Sequence, residues 1–580
     1  MITTLNGPRK RPDFLVYDLE WTPTWRKDGS RNDDAMGLRM AGVYDGESYR
    51  WYKSIDTFID GELTHRNRGK WFYAHAGGLA DFQFVIQRLK DRGFSVQGST
   101  SGSSVIICHV SRMVWDGRNQ KWKPGKDRWH FVDSYWLIRD SLRNIAKWTG
   151  VGGKGNEDES VDYYADAPIL ELRDYNERDC QILYQGIKLF EDTLYELGGQ
   201  LKMTQASCAM DLFRRRFLTQ DIETSGAINN IARQAYFASR VEVITTHCDD
   251  GYYYDVNSSF PYAMTFPQPG ELKGSYRGRP KGDPEDLWMA DVEVEVPEQY
   301  FPPLPVRVAG RLFFPVGRWR GWYSNVDIQE LVKVGGKVIR MHESYTFHPM
   351  TDLRDYCNTL YDLRKKSDGA LKIVCKYLLN SIYGKFAESD LKSELIVNPM
   401  DVKPGYEMMT PGVFLHEKVV PVPHMHVPIS MHVTAIARRT LYQYMGLSSN
   451  LHYCDTDGFS TTQLYRDGNE LGDIKLEKRL KKGRFVQAKV YDLETEDGEH
   501  IVKAKGFSKM TLEKFERLLN YEEVEYVRMA RIRENARRGD FTPRESVIRK
   551  GLRRDAISKR FFYPDGHSRP WDVRELDNCF

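Results

Sequence analysis

The chain has 580 residues, which is too long for one ordinary hydrophobic core, so several domains are expected. Charged residues make up 28% and hydrophobic residues 41%, and the net charge of +3 neither requires nor excludes a polyanionic partner. The eight cysteines are scattered without a Cys-x-x-Cys spacing, which argues against a zinc ribbon or a disulfide framework. No apolar stretch is long enough for a bilayer and no signal peptide is recognisable, so we expect a cytoplasmic protein that acts away from membranes.

The first third of the chain alternates predicted strands and helices. Residues 14–17 predict a short buried strand that ends in Asp18-Leu19-Glu20, and an amphipathic helix is predicted to begin at Asp81. Further strands are predicted over 71–75, 105–110 and 129–132, and a helix over 170–197. This alternation predicts an α/β domain over residues 1–199.

Carboxylates stand at three places in this first domain. Asp18 and Glu20 end the first strand, Asp81 begins a helix, and Tyr175 and Asp179 lie four residues apart on one helical face. Four converging carboxylates would bind two divalent metals and suit hydrolysis of a phosphodiester, with Tyr175 orienting the attacking water. Taken alone, Asp-x-Glu is more often a plain strand end, and the order of the three segments is what favours a metal site.

The second half predicts a different succession of elements. In order, these are a strand and turn over 251–261, a β-rich insert over 267–315, two helices over 353–386 broken near Ser367-Asp368-Gly369, hairpins and loops over 388–428, a helix over 432–444, and a hairpin over 451–462. The segment 526–560 holds twelve Lys and Arg residues against four Asp and Glu residues, which favours a surface that faces a polyanion.

Two of these elements carry carboxylates at strand ends. Asp255 follows three tyrosines, and Asp457 lies on the predicted turn Asp455-Thr456-Asp457-Gly458. Brought together from separate strands, Asp255 and Asp457 would chelate Mg²⁺ with the phosphates of a substrate. Asp455 takes a supporting role, because a turn can break the side-chain alternation of a strand. Taken alone, Asp-Thr-Asp-Gly is simply a good hairpin turn.

A basic helix is predicted between the two carboxylate segments. Its ammonium groups would meet a triphosphate, Tyr383 and Gly384 would let a base pair pack flat against the helix end, and Arg364 would reach the same phosphates from the preceding helix. A solvated lysine face is common on any single helix, so the order of the three segments carries the prediction. Four residues share one face by their spacing: Lys372, Lys376, Asn380 and Tyr383.

These segments resemble the polymerase motifs of the family B DNA polymerases. The matching stretches are Asp255-Val256-Asn257-Ser258-Ser259-Phe260-Pro261, Lys376-x3-Asn380-Ser381-x-Tyr383-Gly384 and Tyr453-Cys454-Asp455-Thr456-Asp457. The resemblance implies a right-hand fold with palm, fingers and thumb, and metal binding in the palm by Asp255, Val256 and Asp457. It implies nucleotide binding by Val256, Phe260, Arg364, Lys372, Lys376, Asn380 and Tyr383.

The same resemblance implies further roles. Phe260 would occupy the position of the aromatic steric gate, usually Tyr, whose ring collides with a ribose 2′-hydroxyl. Gly458 replaces the usual Ser after the second Asp, and we expect this to be tolerated. Contacts with DNA are implied for Lys489 and Tyr491, which resemble the Lys-x-Tyr motif, and expected for Gly384, Lys503 and Lys505.

The acids of the first domain resemble the 3′–5′ proofreading exonuclease of the same family, an RNase H-like domain. The resemblance implies metal binding by Asp18, Glu20, Asp81 and Asp179. The second exonuclease motif departs from the family pattern, because the Asn that grips single-stranded DNA is absent and Ala80 replaces the aromatic residue. Ser134 and Lys154 loosely match the accessory contacts with single strands and phosphates.

Two extra segments match places where protein-primed polymerases of phages and linear plasmids carry inserts. By resemblance, the first would dock a terminal protein and the primed duplex, and the second would surround the template and give strand displacement and processivity. The linker with Tyr236 partly resembles a Tyr-x-Gly-Gly segment expected to contact DNA. The predicted domains are the exonuclease 1–199, palm 200–270 and 426–505, first insert 271–353, fingers 354–387, second insert 388–425, and thumb with basic tail 506–580.

The expected function is therefore a proofreading DNA polymerase that uses two divalent ions per site, Mg²⁺ or Mn²⁺, and dNTPs. Expected partners of the monomer are primer-template DNA, displaced single-stranded DNA and a terminal protein, although a nucleic-acid primer or none stays open. Two alternatives also stay open: an exonuclease whose polymerase half only binds DNA, and a non-catalytic single-stranded DNA-binding protein. His424-Met425-His426 is expected on a surface hairpin rather than in a metal site.

Overall fold

The structure, a computed structural model, describes residues 1–22, 36–102, 104–151, 167–448, 450–507, 510–538, 541–553 and 557–579. Lys154, one of the predicted DNA contacts, lies outside the described residues. No helix in the described part of the chain is long and apolar enough to cross a membrane. The elements up to residue 199 are β1 (Phe14–Thr22), β2 (Gly37–Tyr44), β3 (Tyr49–Tyr52), α1 (Ile55–Glu62), β4 (Trp71–Ala74), α2 (Asp81–Asp91), β5 (Phe94–Ser101), β6 (Ser104–Asp116), β7 (Lys121–Asp133), α3 (Leu142–Thr149) and α4 (Ile169–Glu196).

Strands β1, β4 and β7 run parallel and form the centre of the first sheet. Leu15 and Val16 are both fully buried, because α1 and α2 cover one face of the sheet and α4 covers the other. The strand β1 continues to Thr22, so Asp18 and Glu20 lie within it, not after it as predicted. The carboxyl ends of the three parallel strands meet at one edge, where they bring the acids of the first domain together.

The remaining elements up to the second insert are α5 (Gln205–Leu212), α6 (Gly226–Ala235), β8 (Val241–Val243), β9 (His247–Cys248), β10 (Gly251–Val256), α7 (Ser259–Met264), β11 (Gln268–Arg277), β12 (Leu287–Val296), β13 (Val306–Val308), β14 (Arg311–Phe313), β15 (Gly317–Ser324), α8 (Asn325–Lys333), β16 (Lys337–Met350), α9 (Asp352–Lys366) and α10 (Gly369–Lys385). The predicted break between two helices is confirmed at Ser367 and Asp368, and Gly369 has a φ of +57° that favours glycine. The predicted β-rich insert contains the sheet β11-β16-β12-β15, with α8 packed against it.

The second insert and the C-terminal part contain β17 (Leu391–Val397), β18 (Tyr406–Thr410), β19 (Val413–Val419), α11 (Val427–Leu447), β20 (Leu451–Asp455), β21 (Gly458–Thr461), β22 (Ile474–Gln487), β23 (Val490–Thr495), β24 (His500–Ala504), α12 (Leu512–Leu519), β25 (Val524–Met529), α13 (Ile532–Arg537), β26 (Glu545–Lys550), β27 (Phe561–Phe562), β28 (Ser568–Arg569) and α14 (Val573–Cys579). A second large sheet has the order β24-β23-β22-β10-β21-β20-β8. Its central strand, β10, lies between β21 and β22, and Leu441 and Met445 of α11 pack beneath it.

The segment predicted as the second insert is joined to the first sheet. Strand β17 pairs with β5, with Leu395 opposite Gly98, so that β17, β18 and β19 extend the first sheet to ten strands within the described residues. The predicted hairpins are present, but they do not stand apart from the first domain. His426 is 2% exposed, and its Nε2 lies 2.9 Å from the Gly270 carbonyl oxygen. The prediction of a surface position is therefore wrong for His426.

The basic tail is partly used inside the molecule. Arg533 donates to Ser393 Oγ (2.6 Å) beside the pairing of β5 with β17, and Asn535 donates to Gln83 Oε1 (2.7 Å) of α2. Arg560 is 1% exposed. The prediction that this segment forms a surface for a polyanion is therefore wrong for Arg560, because its charge is buried.

Candidate active sites

The turn between β20 and β21 carries the paired aspartates of the second half. Asp455 and Gly458 close a two-residue loop of Thr456 and Asp457. Thr456 has a φ of +66°, which a β-branched residue rarely adopts. Its amide donates to the Arg240 carbonyl oxygen (2.8 Å), so a contact from outside the hairpin holds the turn in this conformation.

Strand β10 brings Asp255 to this turn. Asp255 lies opposite Gly458, and the amide of Val256 donates to the Asp457 carbonyl oxygen (2.9 Å). A Cβ on Gly458 would lie 2.9 Å from the Tyr253 hydroxyl oxygen, so the strand crossing is fitted to glycine and not to the serine usual in the family. The structure therefore brings Asp255 and Asp457 together although about 200 residues separate them in the chain.

The electrostatics of this site suit a cation. Burial, followed by repulsion from Asp255 and Asp455, raises the pKa of Asp457 to about 7. Burial, followed by repulsion from Glu477 and Asp455, raises the pKa of Asp255 to about 6. A divalent cation would relieve this repulsion, and the hard carboxylate oxygens are the donors that Mg²⁺ prefers. Glu477 was missed from the sequence, because only the pairing of β22 with β10 brings it here.

A cavity of about 460 Å³ opens over these carboxylates. The Lys489 ammonium forms an ion pair with Asp455, and the Tyr453 hydroxyl donates to the same carboxylate (3.2 Å). The cavity is lined by Asp255, Asp455, Asp457, Glu477, Lys489, Tyr491 and Lys503, among others. Lys505 lies beside it and donates its amide to the Lys489 carbonyl oxygen (2.9 Å). The predicted DNA contacts on and beside β23 and β24 thus border the carboxylates.

A buried charge cluster lies behind the turn. Arg240 donates through Nε and Nη2 to Glu242 Oε2 at 2.8 and 2.7 Å, and through Nη1 to the Pro302 carbonyl oxygen (2.9 Å). Arg560 approaches the same carboxylate at 3.8 Å. Because Arg240 also holds Thr456 through its carbonyl, this cluster braces the aspartate turn. None of these residues was singled out from the sequence.

The aromatic residues of the predicted nucleotide site meet in a stack. The rings of Phe260 and Tyr383 are 4.3 Å apart at 8°. Burial, followed by the charges of Tyr236 and Asp457, raises the pKa of Tyr383 to about 12. Arg364 donates to Ser258 Oγ (3.1 Å), next to the Asp255 strand. The fingers helices therefore reach the carboxylate site through Arg364 and Tyr383.

Two other residues of the predicted basic face lie at a different cavity. Lys376, Asn380 and Gly384 line a cavity of about 590 Å³ between α10 and the exonuclease domain, together with Trp136 and Arg139. Lys372 is half exposed, and its ammonium lies 3.7 Å from Asp368. Of the four residues predicted on one face, Tyr383 therefore contacts Phe260, whereas Lys376 and Asn380 line this separate cavity.

Asn176 organises the first two acids of the exonuclease domain. Its Nδ2 donates to Asp18 Oδ2 (2.8 Å) and to Glu20 Oε1 (3.2 Å), while its Oδ1 accepts from the Tyr49 hydroxyl (2.9 Å). A Cβ on Gly42 would lie 1.7 Å from Asn176 Oδ1, so only glycine leaves room for this arrangement. Asn176 was missed from the sequence, although it directly follows the predicted Tyr175.

The other acids lie at the same edge of the sheet. Asp81 is buried, accepts from the Leu19 amide (2.9 Å), and its pKa is raised to about 7 by burial. Burial also raises the pKa of Tyr175 well above its usual value, followed by the charges of Asp179, Glu20 and Asp18. The structure therefore gathers the predicted exonuclease residues. Among the described residues, no three Asp, Glu, His or Cys side chains lie close enough together to hold a metal ion as they stand. The carboxylates are therefore spaced more widely than the ligands of a bound metal.

The accessory residues of the exonuclease differ from the prediction. Ser134 is fully buried, donates to the Ala74 carbonyl oxygen (3.1 Å) and lies 3.1 Å from His75 Nδ1. It has no solvent-facing atom for DNA, so the predicted direct contact is wrong. The neighbouring Asp133 is 3% exposed, and burial raises its pKa to about 6 against backbone amides that lower it. Asp133 is a further buried acid that the sequence did not reveal.

Comparisons with known proteins fit this geometry. Residues 163–415 match the family described as DNA polymerase type B, organellar and viral. A probable DNA polymerase of Podospora anserina is 27% identical over 79% of this chain, and the DNA-directed DNA polymerase of Enterobacteria phage PRD1 is 25% identical over 86%. The match covers 46% of the fungal protein and 87% of the phage protein. The chain thus spans less than half the length of the fungal relatives from Podospora anserina and Neurospora intermedia.

The fold is similar to that of phi29 DNA polymerase solved with primer-template DNA and incoming nucleotide substrates. The TM-score is 0.73 at 19% identity, and the match covers 94% of this chain and 100% of the phi29 chain. This likeness confirms the predicted multidomain fold class. The family match over residues 163–415, the fungal and phage relatives and the three motifs together show that the chain is similar to the family B DNA polymerases of the organellar and viral type.

Proposed function

We propose that the chain is a template-directed DNA polymerase with a 3′–5′ exonuclease, and that it replicates a phage or linear-plasmid genome from a protein primer. The observation that carries the polymerase assignment is the meeting of Asp255 and Asp457 across neighbouring strands of the palm sheet. The relatives named DNA polymerase, which match most of the chain, support it.

The palm carboxylates have the composition of a two-metal site. Asp255, Asp457 and the Val256 carbonyl would hold two divalent cations, which supply charge neutralisation for the triphosphate and activate the primer 3′-hydroxyl. Lys489 holds Asp455 in an ion pair and so fixes the acid beside Asp457. Arg364 binds the phosphates from the fingers, because its guanidinium reaches Ser258 at the end of the same strand.

Phe260 sets the preference for deoxynucleotides in this proposal. Its ring is fixed by the stack on Tyr383, so it keeps its place beside the sugar of the incoming nucleotide. We expect Phe260→Val to raise incorporation of ribonucleotides relative to deoxynucleotides by on the order of 100-fold, because the clash with the 2′-hydroxyl is worth a few kcal/mol. Competing rNTP and dNTP incorporation would measure this ratio. Phe260→Tyr is the matched control and should keep the preference, whereas an unchanged ratio in Phe260→Val would contradict the gate.

The exonuclease site would hydrolyse a mispaired 3′ end. Asp18, Glu20, Asp81 and Asp179 would hold two divalent cations, which supply the nucleophilic hydroxide and stabilise the leaving group. Tyr175 lies beside these acids and orients the attacking water. Ala80 offers no ring on which a frayed base can stack, so the 3′ end is held mainly by its phosphate.

Asn176 is expected to matter for this activity without touching the DNA. Asn176→Ala removes the bridge between Asp18 and Glu20, and outer partners of metal ligands typically contribute 10- to 100-fold. We expect degradation of a single-stranded oligonucleotide to fall by about that factor and the Mg²⁺ concentration for half-maximal rate to rise. Primer extension should stay unchanged, which controls for folding. Normal Mg²⁺ dependence of degradation would refute this role.

Protein priming and strand displacement are the finer part of the proposal. The first insert and the second insert occur in the order expected for the protein-primed branch, and the PRD1 and phi29 relatives match most of the chain. The test supplies a candidate terminal protein with dNTPs and, separately, a primed circular template. A covalent protein–nucleotide product and continuous displacement synthesis are expected. Displacement synthesis from the primed circle without any covalent protein–nucleotide product would reject protein priming.

The same assay separates the remaining alternatives. Degradation of DNA without any incorporation of deoxynucleotides by the unaltered chain would favour an exonuclease whose polymerase half only binds DNA. Binding without any turnover in Mg²⁺ or Mn²⁺ would favour a single-stranded DNA-binding protein. Incorporation of dNTPs directed by the template excludes both.

A further inference from the structure

The strands β6 and β7 continue past the sheet as a two-stranded ribbon. The neighbouring strand β4 begins at Trp71, opposite His130, and β5 begins at Phe94, opposite Arg112. Among the described residues, 113–124 therefore have no neighbouring strand on either side and form a projecting tip. Because a strand rises about 3.3 Å per residue, the tip lies roughly 35 Å from Asp133 at the exonuclease edge of the sheet.

Two tryptophans face solvent on one side of this tip. Trp115 and Trp122 lie directly opposite each other, with ring centroids 5.7 Å apart. Trp115 is 54% exposed and Trp122 is 56% exposed, more than any other tryptophan of the described residues. The edge-to-face contact of the pair stabilises the ribbon but leaves large indole surfaces uncovered, which is costly in water without an occupant.

The charges around the indoles are unbalanced. The two acids of the ribbon are already paired: Asp116 with Lys123 at 2.7 Å, and Asp127 with Arg68 at 3.3 Å. Four further cations have no side-chain hydrogen bond or ion pair within the described residues: Arg118, Lys121, Lys126 and Arg128. The ribbon therefore presents exposed aromatic rings among uncompensated positive charges.

We propose that this ribbon tip is a binding site for single-stranded DNA outside both active sites. Unpaired bases stack on Trp115 and Trp122, and the backbone phosphates lie against the free cations. A duplex offers its phosphates but not its base faces, so it would leave the indoles uncovered. The free cations select a polyanion over an ordinary protein surface. The identity of the bound strand rests on the proposed polymerase function. Because the tip is far from the exonuclease acids, the strand bound here is the one displaced ahead of synthesis.

The test compares two DNA substrates in EDTA, which prevents degradation. One is a primer-template duplex, and the other is the same duplex with a 40-nucleotide displaced thymidine strand. We expect the displaced strand to tighten binding to the unaltered chain. The variant Trp115→Ala/Trp122→Ala should lose this gain in affinity, because each indole contributes about tenfold. Trp115→Phe/Trp122→Phe is the matched control and should keep most of it. Binding of the plain duplex should be equal in all three proteins.

A second pair of variants tests the phosphate contacts. Lys121→Gln and Lys126→Gln should each lower the salt dependence of binding to the displaced strand, by about 0.7 in the slope of log affinity against log salt. An undiminished gain from the displaced strand in the double alanine variant would overturn the proposal and assign the ribbon to a protein partner or to its own stability. Absence of primer extension in the unaltered chain would instead refute the polymerase, while this binding measurement still decides the ribbon.

Discussion

Replacing Asp457 with Asn is expected to lower nucleotide addition by on the order of 10³-fold or more, a loss of about 4 kcal/mol of transition-state stabilisation. The substitution keeps the size of the side chain but removes the charge that, with Asp255, would hold the cations at the triphosphate. The backbone bond from Val256 to residue 457 does not involve the side chain, so the turn should keep its geometry. Extension of a labelled primer at saturating dNTP measures the effect.

The exonuclease of the same chain provides an internal control for Asp457→Asn. The acids of this proposed site lie on β1 of the other large sheet and on the helices α2 and α4 that cover it, so degradation of single-stranded DNA should proceed at the normal rate. Asp497→Asn is the matched variant, because Asp497 is an exposed acid on a turn of the palm sheet, away from the cavity. It should extend primers normally. Primer extension by Asp457→Asn at the rate of the unaltered chain would remove the basis of the polymerase assignment.

The double substitution Asp18→Ala/Glu20→Ala should abolish degradation of single-stranded DNA, again by on the order of 10³-fold or more. Both carboxylates share the amide of Asn176, so removing them empties one side of the exonuclease site. Primer extension should continue, and a primer with a mispaired 3′ end should persist. The release of 3′ nucleotides from a labelled oligonucleotide and the survival of the mispair are the two measurements.

A matched control for this variant is Glu47→Ala, which removes an exposed acid of the same domain. It should degrade DNA normally. If Asp18→Ala/Glu20→Ala still removes 3′ nucleotides in Mg²⁺, the first domain must use other residues, and Asp133 beside Asp81 would be the first to examine. Loss of both activities would instead point to unfolding, because one hydrophobic cluster joins the first sheet to α7 and α11 of the second half.

The parts of the structure that the sequence predicted correctly depend on local chemistry. The hairpin is specified by the four consecutive turn residues Asp455-Thr456-Asp457-Gly458. The break between α9 and α10 is specified by Gly369, which has a positive φ. The predicted bounds of helix α4, 170–197, differ by one residue at each end from the observed Ile169–Glu196. The prediction succeeded because the apolar side chains of this helix repeat at three- and four-residue steps. Each predicted set of carboxylates also lies together in the structure, since each acid lies in a short motif, and their roles as metal ligands stay predictions.

The parts that the sequence did not predict depend on contacts between distant residues. Asn176 meets Asp18 across 158 residues, and Arg240 meets the Pro302 carbonyl oxygen across 62. Neither residue is unusual in its local sequence. Likewise, the strands of the second insert were expected, but their partner was not, because a strand's own residues do not specify which sheet edge it joins.

The continuity of the first sheet limits how the protein can be divided. A fragment of residues 1–199 would lose β17 and leave the backbone groups of β5 unpaired, from Val96 to Thr100. It would also lose the fingers residues that share a core with α4, such as Leu378 and Ile382. A bare edge of this kind recruits further strands and promotes aggregation. The editing module is therefore a poor candidate for separate expression, although its motifs lie in one stretch of sequence.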